Sequence, residues 1–198
     1  VTQARGMLPE GELLSGRLST ETWGLVVARC EALGLSAGMF ERMSPWMVAA
    51  TLPILELKLS GYGEEAGVDR FVARRARQLG KPVRSLETAA FQVDLFAGLT
   101  PELQERMLRD GLREGDFSQQ IEALFGAYRA GDVAAMEAAT FQDLKAHPEY
   151  AELYERIYFS RNSTMAEKLG AMLREQKRFF VAVGAAHLIG DKGLVAHF

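Results

Sequence analysis

The sequence predicts a predominantly helical α/β domain (α+β) packed on a small mixed β-sheet. Three observations predict it. Helix start and stop signals recur along the 198 residues. Two apolar, β-type runs, over 83–86 and 178–183, each stop against a small or capping residue, and the pattern beyond each turns helical. The composition, 48% hydrophobic and 25% charged, is that of an ordinary globular chain able to bury a substantial core as one domain.

The elements follow in order. Ser19 or Thr20 caps a helix over 21–33, which Gly34 stops. Ser44-Pro45 opens a helix over 45–59, because Ser accepts orphan amides and Pro at the first helical position has none to leave unsatisfied. Pro53 offers a kink within it. The glycine-rich stretch over 61–67 follows a helix and has the wrong spacing for a dinucleotide fingerprint, so it reads as a connecting loop. A helix over 68–79 ends at Gly80, with Pro82 two residues on. The first strand occupies 83–86, and Thr88 then caps a helix through Leu99.

Thr100-Pro101 repeats the cap-plus-proline start. Ile121, Leu124, Phe125 and Tyr128 fall on one helical face, and Gly131-Asp132 breaks that helix. A helix over 133–146 ends at His147-Pro148. The Tyr150, Leu153, Tyr154, Ile157, Tyr158 stripe and the Met165, Leu169, Met172, Leu173 stripe read as core faces. The second strand follows at 178–183, and a third, short strand begins near Leu194 after the Gly190-Asp191-Lys192-Gly193 turn. Two strands and a stub are too few to organise so many helices. The expectation is therefore that an N-terminal segment absent from this chain, or another chain, completes the sheet.

Charge and cysteine content narrow the function. A formal net charge of -3 and a pI near 5.7 argue against nucleic acid as the main partner. Arg70, Arg74, Arg75 and Arg77 interleave with Phe71, Ala73, Ala76 and Leu79, which reads as a solvated helix face. The single Cys30 cannot form an internal disulfide and reads as core filler. The longest apolar run, over 46–55, is about half of what a membrane span requires. The chain opens at Val1 without an initiator Met, and residues 1–11 show no basic region followed by an apolar signal stretch, so the chain reads as a mature or trimmed product whose targeting segment is not seen here.

The two strand-to-helix corners carry the chemistry. In open α/β folds, ligands gather beyond the carboxyl ends of strands, and Glu87 and His187 both occupy such a place. Gly184 is read as permitting a tight turn where a Cβ would collide. His187 is placed in a first helical turn, where the positive end of the helix keeps the ring neutral for coordination. Glu87 is a metal ligand, a group orienting His187, or the base that deprotonates a metal-bound water, and the residues alone leave these open. Gln92, one turn past Thr88 on the crevice side, suits a supporting polar role. Thr164 and Glu167 have capping-box spacing.

An ordered series of short motifs spans the chain: Pro45-Trp46, Gly67-Val68-Asp69, Gly80-Lys81-Pro82-Val83, Leu86-Glu87-Thr88 with Gln92, Arg161-Asn162, Gly184-Ala185-Ala186-His187-Leu188 with Gly190, and Gly193-Leu194. This series resembles the TraB/GumN family, which includes the Tiki proteins. The resemblance implies a peptidase-like, metal-dependent hydrolase using metal-activated water, with two GxxH motifs and a glutamate around a divalent metal. Manganese or cobalt is the implied metal, with zinc a further candidate. His187 and Glu87 would then be the metal residues. Glu87, Arg161 and Asn162 would be the catalytic set, Arg161 stabilising charge on a cleaved carbonyl and Asn162 donating a positioning hydrogen bond.

Residues 184–187 match the second GxxH. The first, which in the family precedes the segment resembling Leu8-Pro9-Glu10-Gly11, has no counterpart here. The chain as given is thus expected to carry half of the site and to be inactive alone. The resemblance further implies a peptide or small-molecule substrate, a homodimer as a candidate assembly, and a periplasmic or exported location. The alternative within the family is a non-catalytic peptide-binding or regulatory protein.

Overall fold

A computed structural model describes residues 5–63, 67–113 and 117–198. Among these the fold is all-helical. The α-helices are α1 (Thr20–Ala32), α2 (Pro45–Leu59), α3 (Val68–Gln78), α4 (Ala89–Ala97), α5 (Pro101–Arg113), α6 (Phe117–Ala130), α7 (Val133–Ala146), α8 (Ala151–Tyr154) and α9 (Ser160–Leu173). They divide between two compact units, one made of Val1–Gly67 and Glu87–Gly115, the other of Val68–Leu86 and Asp116–Phe198.

In the first unit α5 packs on α1 and α2. Their shared core holds Leu14, Leu18, Val26, Cys30, Phe40, Val48, Leu52 and Leu108. Truncating a fully enclosed side chain of this kind, such as Leu108, costs about 2–5 kcal/mol. The start of α1 is tied to α5 by one carboxylate. Oε1 of Glu105 accepts from the Ser19 amide at 2.8 Å, the Ser19 hydroxyl at 2.5 Å and the Thr22 hydroxyl at 2.8 Å. These groups lie at the electropositive end of α1, where a carboxylate is favoured. Arg29 pairs with Glu56 at 2.9 Å between α1 and α2, both side chains more than four-fifths covered. Trp46 stacks on Phe96.

In the second unit α6 and α7 pack against each other. They are joined where Gly131 adopts a φ of 68° and Asp132 accepts from the Ala135 amide at 2.9 Å. Phe141 of α7 anchors an aromatic cluster with Tyr154, Tyr158 and Phe159, ring centroids 5.5–5.9 Å away. The last two of these rings lie on a π-helical segment, Glu155–Phe159, which runs directly into α9.

The sheet is the main correction. Among the described residues there is no strand, only an isolated antiparallel bridge between Met7 and Met43. Residues 83–86 and 178–183 are irregular, and Leu194–His197 is a 3-10 turn rather than a strand. The β-type composition of these runs expresses a preference for a pleated, half-buried surface, and that preference becomes a strand only when a ladder partner completes it. Val83, Phe179, Phe180 and Val181 are instead exposed. The two runs meet through side chains. Arg84 forms a two-pronged pair with Glu175 at 2.7 and 3.0 Å, its guanidinium lies over the Phe179 ring, and Lys168 donates to the Leu86 carbonyl.

Smaller differences have local causes. The Ser44 hydroxyl does not cap α2 but donates to the Gly6 carbonyl at 3.0 Å, in a buried contact that fixes the preceding chain. Thr164 lies within α9 and donates to the Ser160 carbonyl at 3.1 Å, so the Thr164–Glu167 pair does not start a helix. Residues 64–66 of the glycine-rich stretch lie outside the described residues.

Candidate functional site

Asn162 lies in the first turn of α9 and is 1% exposed. A buried amide needs partners on both its ends, since an unsatisfied polar group there costs about 1–3 kcal/mol. It has both. Nδ2 donates to the Lys192 carbonyl at 2.7 Å, and Oδ1 lies 2.6 Å from Nδ1 of His187, itself buried. A backbone carbonyl can only accept, so the amide nitrogen must face Lys192 and the amide oxygen must face the ring. Nδ1 of His187 is therefore the protonated nitrogen. In the neutral ring, the lone pair is then on Nε2, the state in which an imidazole coordinates a metal.

The loop after His187 makes this possible. Gly190 adopts a φ of 76°, and the Gly193 amide closes the turn on the Gly190 carbonyl at 2.9 Å. A Cβ at Gly193 would stand 2.4 Å from the Ile189 carbonyl oxygen, so only glycine lets the chain pass there. That close passage delivers the Lys192 carbonyl to Asn162. The site's necessary glycine is thus Gly193. At Gly184, with a φ of -56°, an added Cβ would meet only the His187 ring edge at 3.6 Å, an ordinary contact, so the expected collision there is absent.

The helix end expected to act on the ring is also missing. Ala185–His187 is a three-residue 3-10 turn, too short to build a helix dipole. The hydrogen bond from Nδ1 to Asn162 fixes the tautomer instead.

Tyr158, read from sequence as one member of an apolar stripe, sits with its ring 5.7 Å from that of His187. Burial pushes its phenol up, and the neighbouring Arg161 guanidinium offsets part of that rise. The π-helical turn adds a residue to the helical repeat just before α9, a distortion often found at functional sites. Nη1 of Arg161 donates to the Ile157 carbonyl at 2.8 Å on its own helix. Beside them, Lys192 Nζ lies 4.5 Å from the centre of the Phe159 ring.

The second unit therefore brings Asn162 and His187 into direct contact, with Tyr158 and Arg161 around them. Glu87 and Gln92 belong to the first unit. There Gln92 Nε2 donates to Glu87 Oε2 at 3.2 Å, and Thr88 accepts from the Phe91 amide at 3.1 Å, starting α4. Among the described residues, no group of three or more His, Cys, Asp or Glu side chains converges to hold a metal. The described residues thus offer one imidazole in the coordinating tautomer, not a closed metal centre.

The histidine of the GxxH turn and the asparagine of the Arg-Asn pair, two separate members of the motif series, are thus in direct contact. Residues 2–198 match the TraB/PrgY/gumN family, and the chain belongs to it. Among its relatives is the uncharacterized protein YbaP of Escherichia coli (strain K12), 27% identical over 187 residues, covering 94% of this chain and 68% of that protein. Two more distant relatives are Metalloprotease TIKI1 of Danio rerio, 24% identical, and Metalloprotease TIKI2 of Xenopus tropicalis, 25% identical. Each of those matches covers 80% of this chain, which spans only 37% and 35% of the two metalloproteases. No solved structure matches the chain.

Proposed function

We propose that this chain carries the histidine half of a metal-dependent, peptidase-like hydrolase site, with His187 as a metal ligand and Asn162 as the residue that orients it. The single observation that supports the reading most is the 2.6 Å contact between Asn162 Oδ1 and His187 Nδ1, with the asparagine amide fixed by the Lys192 carbonyl. This contact presents Nε2 in its coordinating form before any ligand arrives, which reduces the cost of binding. The kinship with two proteins named as metalloproteases favours the same reading.

A divalent cation such as manganese, cobalt or zinc would supply Lewis-acid polarisation of a carbonyl. In this proposal the chain's own residues do the rest. Glu87, whose Oε2 accepts from Gln92 Nε2 at 3.2 Å within the first unit, is proposed separately, as a carboxylate able to accept a proton. Arg161 supplies positive charge for an oxygen that becomes negative as a peptide-like carbonyl is attacked.

Metal analysis of the full-length protein tests this, comparing wild type with His187→Ala. Wild type is expected to retain a divalent cation after dialysis and the variant to lose it. Equal metal content in the two would remove His187 from the site, and retention by His187→Ala but not by Glu87→Gln would move the centre to the carboxylate.

A further inference from the structure

Helix α3 carries a surface that the hydrolase reading does not use. It is 11 residues long and has no buried side chain. A helix of that length is marginal in water by its own hydrogen bonds and depends on having its apolar side covered. Val72, Ala73 and Ala76 are half-covered, whereas Val68, Phe71 and Leu79, one to three turns apart along the same apolar side, are 57%, 57% and 53% exposed. The other side is basic. Arg70, Arg74 and Arg77 fall at i, i+4 and i+7, and Lys81 extends the row past the helix end. Arg75 lies between Phe71 and Leu79, within the apolar side itself, and the Arg74 guanidinium folds over the Phe71 ring at 5.8 Å. Between Val68 and Lys81, Asp69 is the only acidic residue, in a chain whose formal net charge is -3. Positive charge is thus concentrated here against the sign of the molecule.

We propose that α3, with Lys81, is a docking surface for an anionic phospholipid bilayer. Exposed apolar residues beside a row of arginines match the two layers of such a surface, acyl boundary and charged headgroups. Long arginine stems let the charges on the far side of the helix reach the headgroup level while Phe71 and Leu79 insert. Self-association through the same face would bring like-charged rows together, so charge complementarity favours the lipid surface over a second copy. The association is peripheral: no described helix is long and apolar enough to cross a membrane.

Co-sedimentation of the full chain with vesicles tests the proposal. Phosphatidylcholine vesicles containing phosphatidylglycerol are expected to carry the protein down, and pure phosphatidylcholine vesicles are not. Added salt is expected to release it. Arg74→Gln combined with Arg77→Gln is expected to lower the partition coefficient by about thirtyfold, and Phe71→Ser to abolish binding. All three positions are exposed, and unchanged circular dichroism and melting of the variants establish that the fold is intact. Absence of binding, equal binding to the two vesicle types, or unchanged binding by the variants overturns the proposal. So does concentration-dependent self-association of wild type that Phe71→Ser removes, which would assign the face to a second copy.

Discussion

Asn162 Oδ1 lies 2.6 Å from Nδ1 of His187, and this contact decides which nitrogen of the ring bears the proton. The decision is made one step further back, at the Lys192 carbonyl, which accepts from the other end of the same amide at 2.7 Å. Asn162→Ala should therefore free the tautomer. Long-range proton–nitrogen spectra of the His187 ring are expected to show the Nδ1-protonated form in wild type and a mixture in the variant. Stability should fall by about 1–3 kcal/mol, because the Lys192 carbonyl and the ring lose their partner together. A wild-type ring protonated at Nε2 would contradict the orientation argued here.

Gly193→Ala should damage the same arrangement through the backbone. Its Cβ would meet the Ile189 carbonyl oxygen at 2.4 Å and the Ile189 carbonyl carbon at 2.8 Å, so main chain must move. A loss of about 1–3 kcal/mol is expected, with the His187 spectrum shifting toward that of Asn162→Ala as the Lys192 carbonyl is displaced. Gly184→Ala, which meets only an ordinary 3.6 Å contact, is expected to be nearly silent in both measurements. If the two substitutions cost the same, the close approach at Gly193 is not what shapes the loop.

The carboxylate at the start of α1 gives the first unit a pH dependence. Burial pushes the Glu105 carboxyl up, but hydrogen bonds from Ser19 and Thr22, together with Arg109, outweigh burial and hold it below the usual carboxylate range. A carboxyl depressed by folding contributes stability that is fully present above its unfolded value, about 4.3, and is lost as pH falls through its lower folded value. Glu105→Gln should cost about 1–2 kcal/mol at neutral pH in urea unfolding. The gap between the two proteins should narrow as pH drops through the acid range. A gap independent of pH would mean that shape, and not charge, is what Glu105 supplies.

The helices were legible in the sequence because their boundaries are set by local chemistry. Ser19, Thr88 and Asp132 accept the first free amides of their helices, and Gly34, Gly80 and Gly131 end theirs with positive φ angles of 67°, 64° and 68°. The strands were not, because a strand depends on a partner that no local pattern specifies. The apolar runs around Val83 and Phe180 carry β-type residues without a ladder to join. Of the site, His187 and Asn162 were legible as single motif residues, but their contact was not, since 25 residues separate them. Gly193 was visible only as one end of a turn. Tyr158 was indistinguishable from the core stripe because the π-helical turn that sets it beside His187 leaves no period in the sequence.

The Arg29–Glu56 pair should behave asymmetrically. Arg29 lies in the last turn of α1, where a cation is favoured, and its Nη2 also reaches the Leu112 carbonyl of α5 at 3.4 Å. Glu56 lies in the last turn of α2, where a carboxylate is disfavoured, and Arg29 compensates for that position at 2.9 Å. Arg29→Met therefore leaves a mostly covered carboxylate beside an electronegative helix end. Its cost should fall between the values for exposed and fully buried pairs, about 2–3 kcal/mol. Glu56→Gln leaves an arginine that still faces helix C-termini and carbonyl oxygens, so its cost should be smaller, about 1 kcal/mol. Urea unfolding of the two single variants and the double variant measures both costs and the coupling between them. If Glu56→Gln proved as damaging as Arg29→Met, the helix ends would have no part in the energetics of this pair.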